Sequence, residues 1–498
     1  MSVAQLDDYL LVGSVVVLFA VLAVRLSVRV GLPSLLLYLF MGLLLGEQFI
    51  GIEFDDVDLA HALGFAALVV ILLEGGITTK WVEIKPVLGW GLMLATIGVA
   101  VSVAIIAVPT HYVLDLGWQT SMLVGAIISA TDAAAVFSVL RAVPLTHRMR
   151  GTLEAESGTN DAMTVLLAVM LSSSNPTEHG VLGFVGLVVY ELLAGGLIGA
   201  GIGYAAVGVL RRVALPVSGL YPISVVAFGV LSYSGAAALH ASGFAAVYVT
   251  ALWMGNSELP HRTATRSFID GFAWLAQIGL FVMLGLLASP SRFTSWQLMA
   301  GLFVGAVATF LARPASVVVA SLPFRPTIGE QLFVAWGGLR GAVPIVLATI
   351  PLSEGSPRAD DIFGLIFVLV IILTLVQAPT LAPLADRLGL IERLHFRELE
   401  LEAAPMDRVR ADLLQVLVTP ASRLHGVEIA ELRLPAGAVV SLLVRNGESM
   451  TPTRTTTLQH KDQLLVVTPR LQREATERRL QEVSRAGRLA RWNPQPPP

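Results

Sequence analysis

Glu156-Ser157-Gly158-Thr159-Asn160-Asp161 is a polar run that leads directly into the apolar stretch Ala162–Leu171. On a helix, residues four apart share a face, so Ser157 stacks with Asp161 and Glu156 with Asn160. Two neighbouring faces then carry carboxylates and neutral oxygen ligands. At the centre of a bilayer a charge carries a penalty of roughly 2.5–3.5 kcal/mol on insertion scales, so such groups are paired, hydrated or functional. Three other apolar stretches supply partners: Ser129-Ala130-Thr131-Asp132-Ala133, Leu72-Leu73-Glu74-Gly75-Gly76, and Trp336-Gly337-Gly338-Leu339-Arg340-Gly341. Asp132 and Asp161 lie in separate stretches, each beside a hydroxyl (Thr131, Ser157). Hard oxygen ligands of this kind suit a cation site at Asp132 and Asp161, for which a proton can compete. Two carboxylates merely hydrogen-bonded inside a helix bundle are the simpler alternative. Glu156 and Arg340 read as a structural ion pair, because a guanidinium stays charged and a proton carrier must release its proton. Glu74 is either a ligand at the site's edge or an interfacial acid. Arg313, Glu191 and Asp270 read as packing or interfacial residues.

The elements that must hold these groups are membrane helices. Of 498 residues, 55% are hydrophobic and 14% charged, and the mean hydropathy is +0.74. These values belong to a polytopic membrane protein. Residues 386–498 nevertheless hold 17 of the 33 Lys+Arg and 14 of the 36 Asp+Glu, a density that requires water. Without cysteine there is no disulfide framework, thiolate metal site or thiol nucleophile. No Walker sequence is present, so ATP-driven pumping has no support. Met1–Tyr9 contains no Lys or Arg and so lacks the basic start of a cleaved signal peptide.

Apolar runs long enough to cross about 30 Å of hydrocarbon number about thirteen, at 9–28, 32–47, 60–79, 86–109, 118–141, 150–172, 181–208, 219–239, 242–255, 268–288, 296–321, 330–351 and 362–384. With the N-terminus outside, the inner loops collect Arg25, Arg29, Lys80, Lys85, Arg141, Arg148, Arg150, Arg211, Arg212, Arg262, Arg266 and Arg325, and the outer loops only Arg292 and Arg358. The positive-inside bias therefore puts the C-terminal region in the cytoplasm. Six helices, a spare one and six more allow an inverted repeat in which the fifth and twelfth runs, both broken by polar or small residues, are counterparts. The expected fold is an all-α polytopic membrane domain over 1–385, a linker over 386–404, a small α+β cytoplasmic domain over 405–470, and a charged helix with a Pro-rich tail over 471–498. Ala438–Val444 and Asp462–Thr468 have strand character, with Asn446-Gly447 as a turn signal between them.

Thr131-Asp132, the Glu156–Asp161 run and Gly337-Gly338-Leu339-Arg340-Gly341, in this order, resemble bacterial monovalent cation:proton antiporters of the NhaP type, relatives of the animal sodium/proton exchangers. The resemblance covers residues 9–385. It implies a homodimer whose protomers each hold a six-helix core with two crossed discontinuous helices. It further implies that Asp161 is the essential ion- and proton-binding carboxylate, that Asp132, Ser157 and the Thr131 backbone complete the site, that Glu156 pairs with Arg340 beside Asn160, and that Glu74 acts at the edge. Asn160 before Asp161, where other members have a second acid, resembles the electroneutral branch. Thr380-Leu381-Ala382-Pro383 departs from the animal exchangers, which carry a second arginine in the last span. Residues 405–470 resemble the TrkA C-terminal (RCK C-terminal) module through Leu424-His425-Gly426-Val427-Glu428-Ile429, Leu434-Pro435-Ala436-Gly437, Val444-Arg445-Asn446-Gly447 and Lys461-Asp462-Gln463-Leu464. An antiporter joined to this module resembles the potassium/proton subgroup in a bacterial inner membrane. The implied function is secondary antiport of K+ or Na+ against H+ without catalysis or cofactor, with membrane lipid as surroundings, a small ligand such as a nucleotide on the module, and no nucleic-acid partner. A sodium-selective exchanger uses the same residues. A ligand-gated channel or membrane sensor is the reading from another class, against which stand the acids in single spans and the absence of a carbonyl filter sequence.

Overall fold

The computed structural model describes residues 3–30, 33–52, 54–132, 145–173, 180–213, 215–288, 293–391, 399–406, 411–419, 422–445 and 448–487. The chain divides into two units, Met1–Glu392 and Arg393–Pro498.

The first unit is helical. It begins with α1 (Val3–Val30), α2 (Ser34–Leu45), α3 (Val57–Thr78) and the single turn α4 (Trp81–Ile84). α5 (Leu88–Met93) runs through a π turn at Leu94–Gly98 into α6 (Val99–Leu114), and α7 (Trp118–Ser129) and α8 (His147–Ser172) follow. Next come α9 (Gly180–Arg212), α10 (Leu220–Ala238), α11 (Gly243–Gly255) and α12 (Arg262–Leu287). α13 (Ser295–Val307) runs through a second π turn, Ala308–Ala312, into α14 (Arg313–Ser321), before α15 (Ile328–Gly337), α16 (Ala342–Leu347), α17 (Thr349–Ser353) and α18 (Ala359–Arg387).

Helix starts obey local chemistry. The Asp56 carboxylate accepts the Leu59 amide at 2.9 Å at the head of α3. Thr294 with Gln297 and Thr327 with Glu330 close reciprocal capping boxes on α13 and α15, each satisfying amides that the first turn leaves free. Where α2 crosses α12, Gly42 lies on the Val282–Gly285 backbone and Gly285 on that of Leu39–Leu43, so that a Cβ at either would collide with main chain. Small residues let membrane helices approach this closely.

Among the described residues seven helices are long and apolar enough to cross a membrane, or eight if a bent pair counts as one span. α2 and α11, at 12 and 13 residues, are shorter than the runs expected there. α8, expected as the run 150–172, carries Arg148, Arg150, Glu154, Glu156 and Asp161 and is not among those seven.

Two breaks meet inside this unit. α7 stops at Ser129 and the chain is extended at Ala130; the remainder of the fifth apolar run, with Arg141, lies outside the described residues. α15 stops at Gly337, and the following α16–α17 pair leaves at an angle of 48°. The Asp132 amide donates to the Leu339 carbonyl at 2.8 Å, so one break supplies the backbone partner that the other lacks.

The second unit contains β1 (Leu399–Met406), β2 (Ala411–Val418), β3 (Val439–Arg445), β4 (Glu448–Met450), β5 (Gln463–Pro469) and α19 (Arg473–Ala486). The sheet is antiparallel with order β1-β2-β5-β3-β4. Leu414, Val416 and Val418 alternate inward from β2 against Leu464 and Val466 of β5, and Leu480 and Val483 of α19 join that core. Asp462 is fully buried, and its carboxylate takes two bonds from Arg445, at 2.9 and 2.8 Å, and the Gln459 amide at 2.7 Å. The bond to this carboxylate holds the Arg445 guanidinium above its usual range. Residues 399–404, expected as the end of a linker, belong to β1, where Leu399, Leu401 and Ala403 alternate in sequence with Glu400, Glu402 and Ala404, a period of two that the charge density disguises. The strand expectations fall on β3 and β5, and the Asn446-Gly447 turn lies outside the described residues.

Candidate functional site

α8 brings its polar run to the two breaks. The Ser157 hydroxyl donates to the Thr131 carbonyl at 2.9 Å, and the Asn160 amide donates to the Ser129 carbonyl at 3.0 Å and to Thr131 Oγ1 at 3.1 Å. These bonds satisfy the carbonyls that α7 exposes by ending early. Thr131, Asp132, Glu156, Ser157, Asn160 and Asp161 are all buried, none more than 9% exposed. Asp132 and Asp161 face one cavity of about 380 Å³, together with Ser157 and Tyr248. They are near enough for their charges to interact. Asp161 Oδ1 is buried and has no hydrogen-bond partner among the described residues. Gly341 packs on the Asp132 carboxylate so closely that a Cβ there would overlap it. An uncommitted carboxylate oxygen, a second carboxylate and a serine hydroxyl in a cavity form a hard-oxygen donor set.

The ion pair differs from expectation. Glu156 pairs with Arg313: Nη1 meets Oε1, and Nη2 donates to Oε2 at 2.9 Å and to the Val334 carbonyl at 3.1 Å. Arg340 instead donates through Nε to the Ile128 carbonyl at 3.2 Å and through Nη1 to the Gly338 carbonyl at 2.6 Å. The physical reason is the breaks themselves. α7 and α15 each end in the membrane interior with free carbonyls and a partial negative charge, and a guanidinium between them answers both. Thr374 of α18 then donates to the Arg340 carbonyl at 2.9 Å. With Arg340 engaged, Glu156 is reached from α14, whose first residue, Arg313, follows the second π turn. Such turns recur at functional positions because they re-aim the next side chains. Gly338 lies flat on the Arg313 guanidinium.

Glu74 lines the same cavity, on α3. Sequence reasoning missed four further lining groups, Glu83, Glu154, Tyr248 and Gln277, and took Asp270, which also lines it, for an interfacial residue. Lys80 and Arg150 stand with them; Lys80 bonds Glu83 at 2.8 Å and Arg150 approaches Glu154 at 3.5 Å. Arg313, taken for a packing residue, was detectable as the lone basic side chain in the run 296–321. Glu191 of α9 does not line this cavity.

A helical unit in which the end of α7 and the break after α15 meet at a buried pair of aspartates has the makings of a membrane transporter for cations and protons. Residues 15–387 match the family model "Sodium/hydrogen exchanger, transmembrane", and the chain belongs to that family. Residues 413–481 match the TrkA-C domain. Over 473 residues the chain is 35% identical to the K(+)/H(+) antiporter NhaP of Alkalimonas amylolytica, covering 92% of this chain and 80% of that protein. It is 34% identical to the K(+)/H(+) antiporter NhaP2 of Shewanella baltica, with 94% and 82% covered. A relative from Aphanothece halophytica, 27% identical with 85% and 83% covered, is the Na(+)/H(+) antiporter ApNhaP. The solved sodium proton antiporter MjNhaP1 of Methanocaldococcus jannaschii shares the fold, with a TM-score of 0.65 at 24% identity over 77% of this chain and 99% of that one. The protein is thus a multi-pass monovalent cation/proton antiporter with a C-terminal TrkA-C domain.

Proposed function

We propose that the chain exchanges K+ for H+ electroneutrally, by alternating access, with cation and proton competing for Asp161. The observation that carries this reading is the buried, unpartnered Asp161 Oδ1 in a cavity shared with Asp132 and Ser157. In the proton-loaded state Asp161 is neutral. An entering cation takes Asp161, Asp132, Ser157 Oγ and the Thr131 backbone as ligands and releases that proton, so a single charge crosses in each direction. Glu156 bonded to Arg313, with Asn160 on the end of α7, holds the frame without changing charge. Glu74 tunes the entrance.

The preference for K+ rests on the two relatives at 34–35% identity whose names specify K+; the Aphanothece protein supports Na+ as the competing cargo. Thirteen spans in two inverted six-helix repeats fit the paired π turns, since α5–α6 and α13–α14 occupy equivalent places in such a plan. With the N-terminus outside, Lys80 and Arg150 put the cavity mouth on the cytoplasmic side of a bacterial inner membrane, and the TrkA-C domain binds a small regulatory ligand there. The protein works as a homodimer in lipid.

The test is a cation-swap assay in proteoliposomes, reading internal pH on addition of K+, Na+ or Li+ with and without a membrane potential. Proton movement coupled to K+ and indifferent to voltage is expected. Coupling to Na+ alone would reassign the cargo, and strongly voltage-dependent flux without proton movement would replace the exchanger by a channel.

A further inference from the structure

A second space lies on the opposite side of Tyr248. It is a cleft of about 910 Å³ between α9 and α11 on one wall and α5 and α8 on the other. Leu192 and Gly196 of α9, Val249 of α11, Ala162 of α8 and Leu92 of α5 set its apolar character. Its existence follows from the glycine pattern of α9. Gly195, Gly199 and Gly203 press against the backbone of Ser242, Ala246 and Thr250, drawing α9 and α11 into close parallel contact, whereas a Cβ on Gly196 would meet nothing within 4 Å. One face of α9 is therefore sealed on α11 and the next is open. Leu193, Leu197 and Tyr204 beside it are 63%, 74% and 71% exposed, which within a membrane means exposed to lipid.

Along its length the hydroxyls of Thr96 and Thr159 bond the Leu92 and Ala155 carbonyls of their own helices, and Asn256 and Ser257 make one end polar. There the Asn256 side-chain oxygen accepts the Trp81 amide at 2.7 Å and its nitrogen donates to the Thr79 carbonyl at 2.9 Å. From Ala245 to the end of α11 at Gly255 it follows the helix for ten steps, about 15 Å at 1.5 Å each, half of a hydrocarbon core about 30 Å thick. At the polar end both walls are basic. Exposed Lys85 lies three residues before the lining Leu88, and exposed Arg211 and Arg212 close α9, with Arg211 Nε donating at 3.0 Å to the carbonyl of Glu258, the residue after the lining Ser257. Lys80 and Glu83, which flank the lining Trp81, bond each other at 2.8 Å, so Lys85, Arg211 and Arg212 stand against Glu258 and leave this rim basic.

We propose that the cleft binds an anionic phospholipid, with one acyl chain in the slot and the phosphate between Lys85, Arg211 and Arg212. An apolar slot half a bilayer long and open to the side takes a hydrocarbon chain. A basic rim at the level where that chain must end takes its headgroup. The bound chain lies on Tyr248 and Gly158, both of which also line the ion cavity, and a Cβ on Gly158 would strike the Tyr248 ring. A single aromatic ring thus divides the lipid slot from the ion pathway.

The full chain is reconstituted in vesicles containing phosphatidylglycerol with a diazirine on its acyl chain, irradiated, and the adducts mapped by mass spectrometry. Labels on Ala245 and Val249, inside the slot, are expected, and Gly196→Trp, whose side chain would fill it, should lose them while retaining labels on the outer residue Leu197. Should that variant fail to fold, the triple substitution Lys85→Gln, Arg211→Gln, Arg212→Gln decides: labelling in the slot should drop for phosphatidylglycerol but not for a phosphatidylethanolamine probe. Labels confined to Leu197 and its outward neighbours in the unmodified protein, or slot labelling equal for both headgroups and untouched by the triple change, would overturn the proposal.

Discussion

Replacing Arg313 by Gln leaves Glu156 in a site where it is 1% exposed, with its two strongest donors gone. Removing one member of a buried ion pair typically destabilises a protein by about 3–5 kcal/mol, because the survivor keeps its charge without compensation. Glu156→Gln exposes Arg313 to the same penalty, softened by the Val334 carbonyl that it still reaches. The double substitution removes both charges. The two single losses should therefore overshoot the double loss by a coupling of about 2–3 kcal/mol, at the upper end of the range for contacting residues. The control pairs Glu156→Gln with Arg340→Gln. Among the described residues the Arg340 guanidinium bonds only carbonyls, so that cycle should show less than half the coupling. Thermal unfolding in detergent, followed by size-exclusion chromatography for all five variants beside the unmodified chain, supplies the numbers. Coupling of Glu156 to Arg340 and not to Arg313 would refute the assignment and return the pair expected from sequence.

Asp161→Asn should abolish exchange in proteoliposomes while leaving insertion and melting intact, since an amide oxygen binds neither proton nor cation in alternation; residual wild-type flux would remove Asp161 from the mechanism. Gly341→Ala should displace the Asp132 carboxylate, and at an overpacking penalty of about 1–3 kcal/mol raise the cation concentration for half-maximal exchange roughly tenfold; an unchanged value would show that Asp132 is not a ligand. Arg445→Gln should lower hydrogen-exchange protection of β3 and β5 in the full chain by about 3 kcal/mol, through the unpaired Asp462, with no change in the membrane unit. A chain ending at Glu392 should still exchange ions but lose a dependence on pH or on added nucleotide that the full chain has, because a soluble module can bias transport only through unequal ligand binding to its two states; loss of all transport despite normal insertion would count against that division.

What the sequence made legible was chemical type, and what it hid was direction. Asp132, Asp161, Ser157 and Thr131 stand out because oxygen donors inside apolar runs have few innocent explanations. The partner of Glu156 was not legible, because two arginines in late apolar runs were available and the choice turns on a π turn at Ala308–Ala312 and on carbonyls freed at Ile128 and Gly338. Neither feature has a side-chain signature. Glu154 and Tyr248 were hidden for another reason: their place in the cavity depends on how α8 packs against α11. The start of the soluble sheet was masked by charge. Leu399–Met406 has the strand alternation, but its glutamates sit within the stretch richest in ionisable groups, and composition outweighed period.

The division among the buried charges follows from what each one touches. Arg340 is bound to main-chain carbonyls of two helix ends, Glu156 to Arg313 on both oxygens, and Asn160 to the end of α7. Altering the charge of Glu156 or Arg340 would dismantle a helix terminus or strand a partner, so these groups are fixed by the fold they support. Asp161 is different: its Oδ1 is buried, faces a cavity that Asp132 also lines, and meets no donor among the described residues. A carboxylate that the fold does not hold to its charge suits the alternation proposed for it. Arg340 answers the carbonyls at the end of α7 and after α15, and the Asp132 amide bonds the Leu339 carbonyl, so on the proposed function the cavity carboxylates are the charges left for a passing ion to answer.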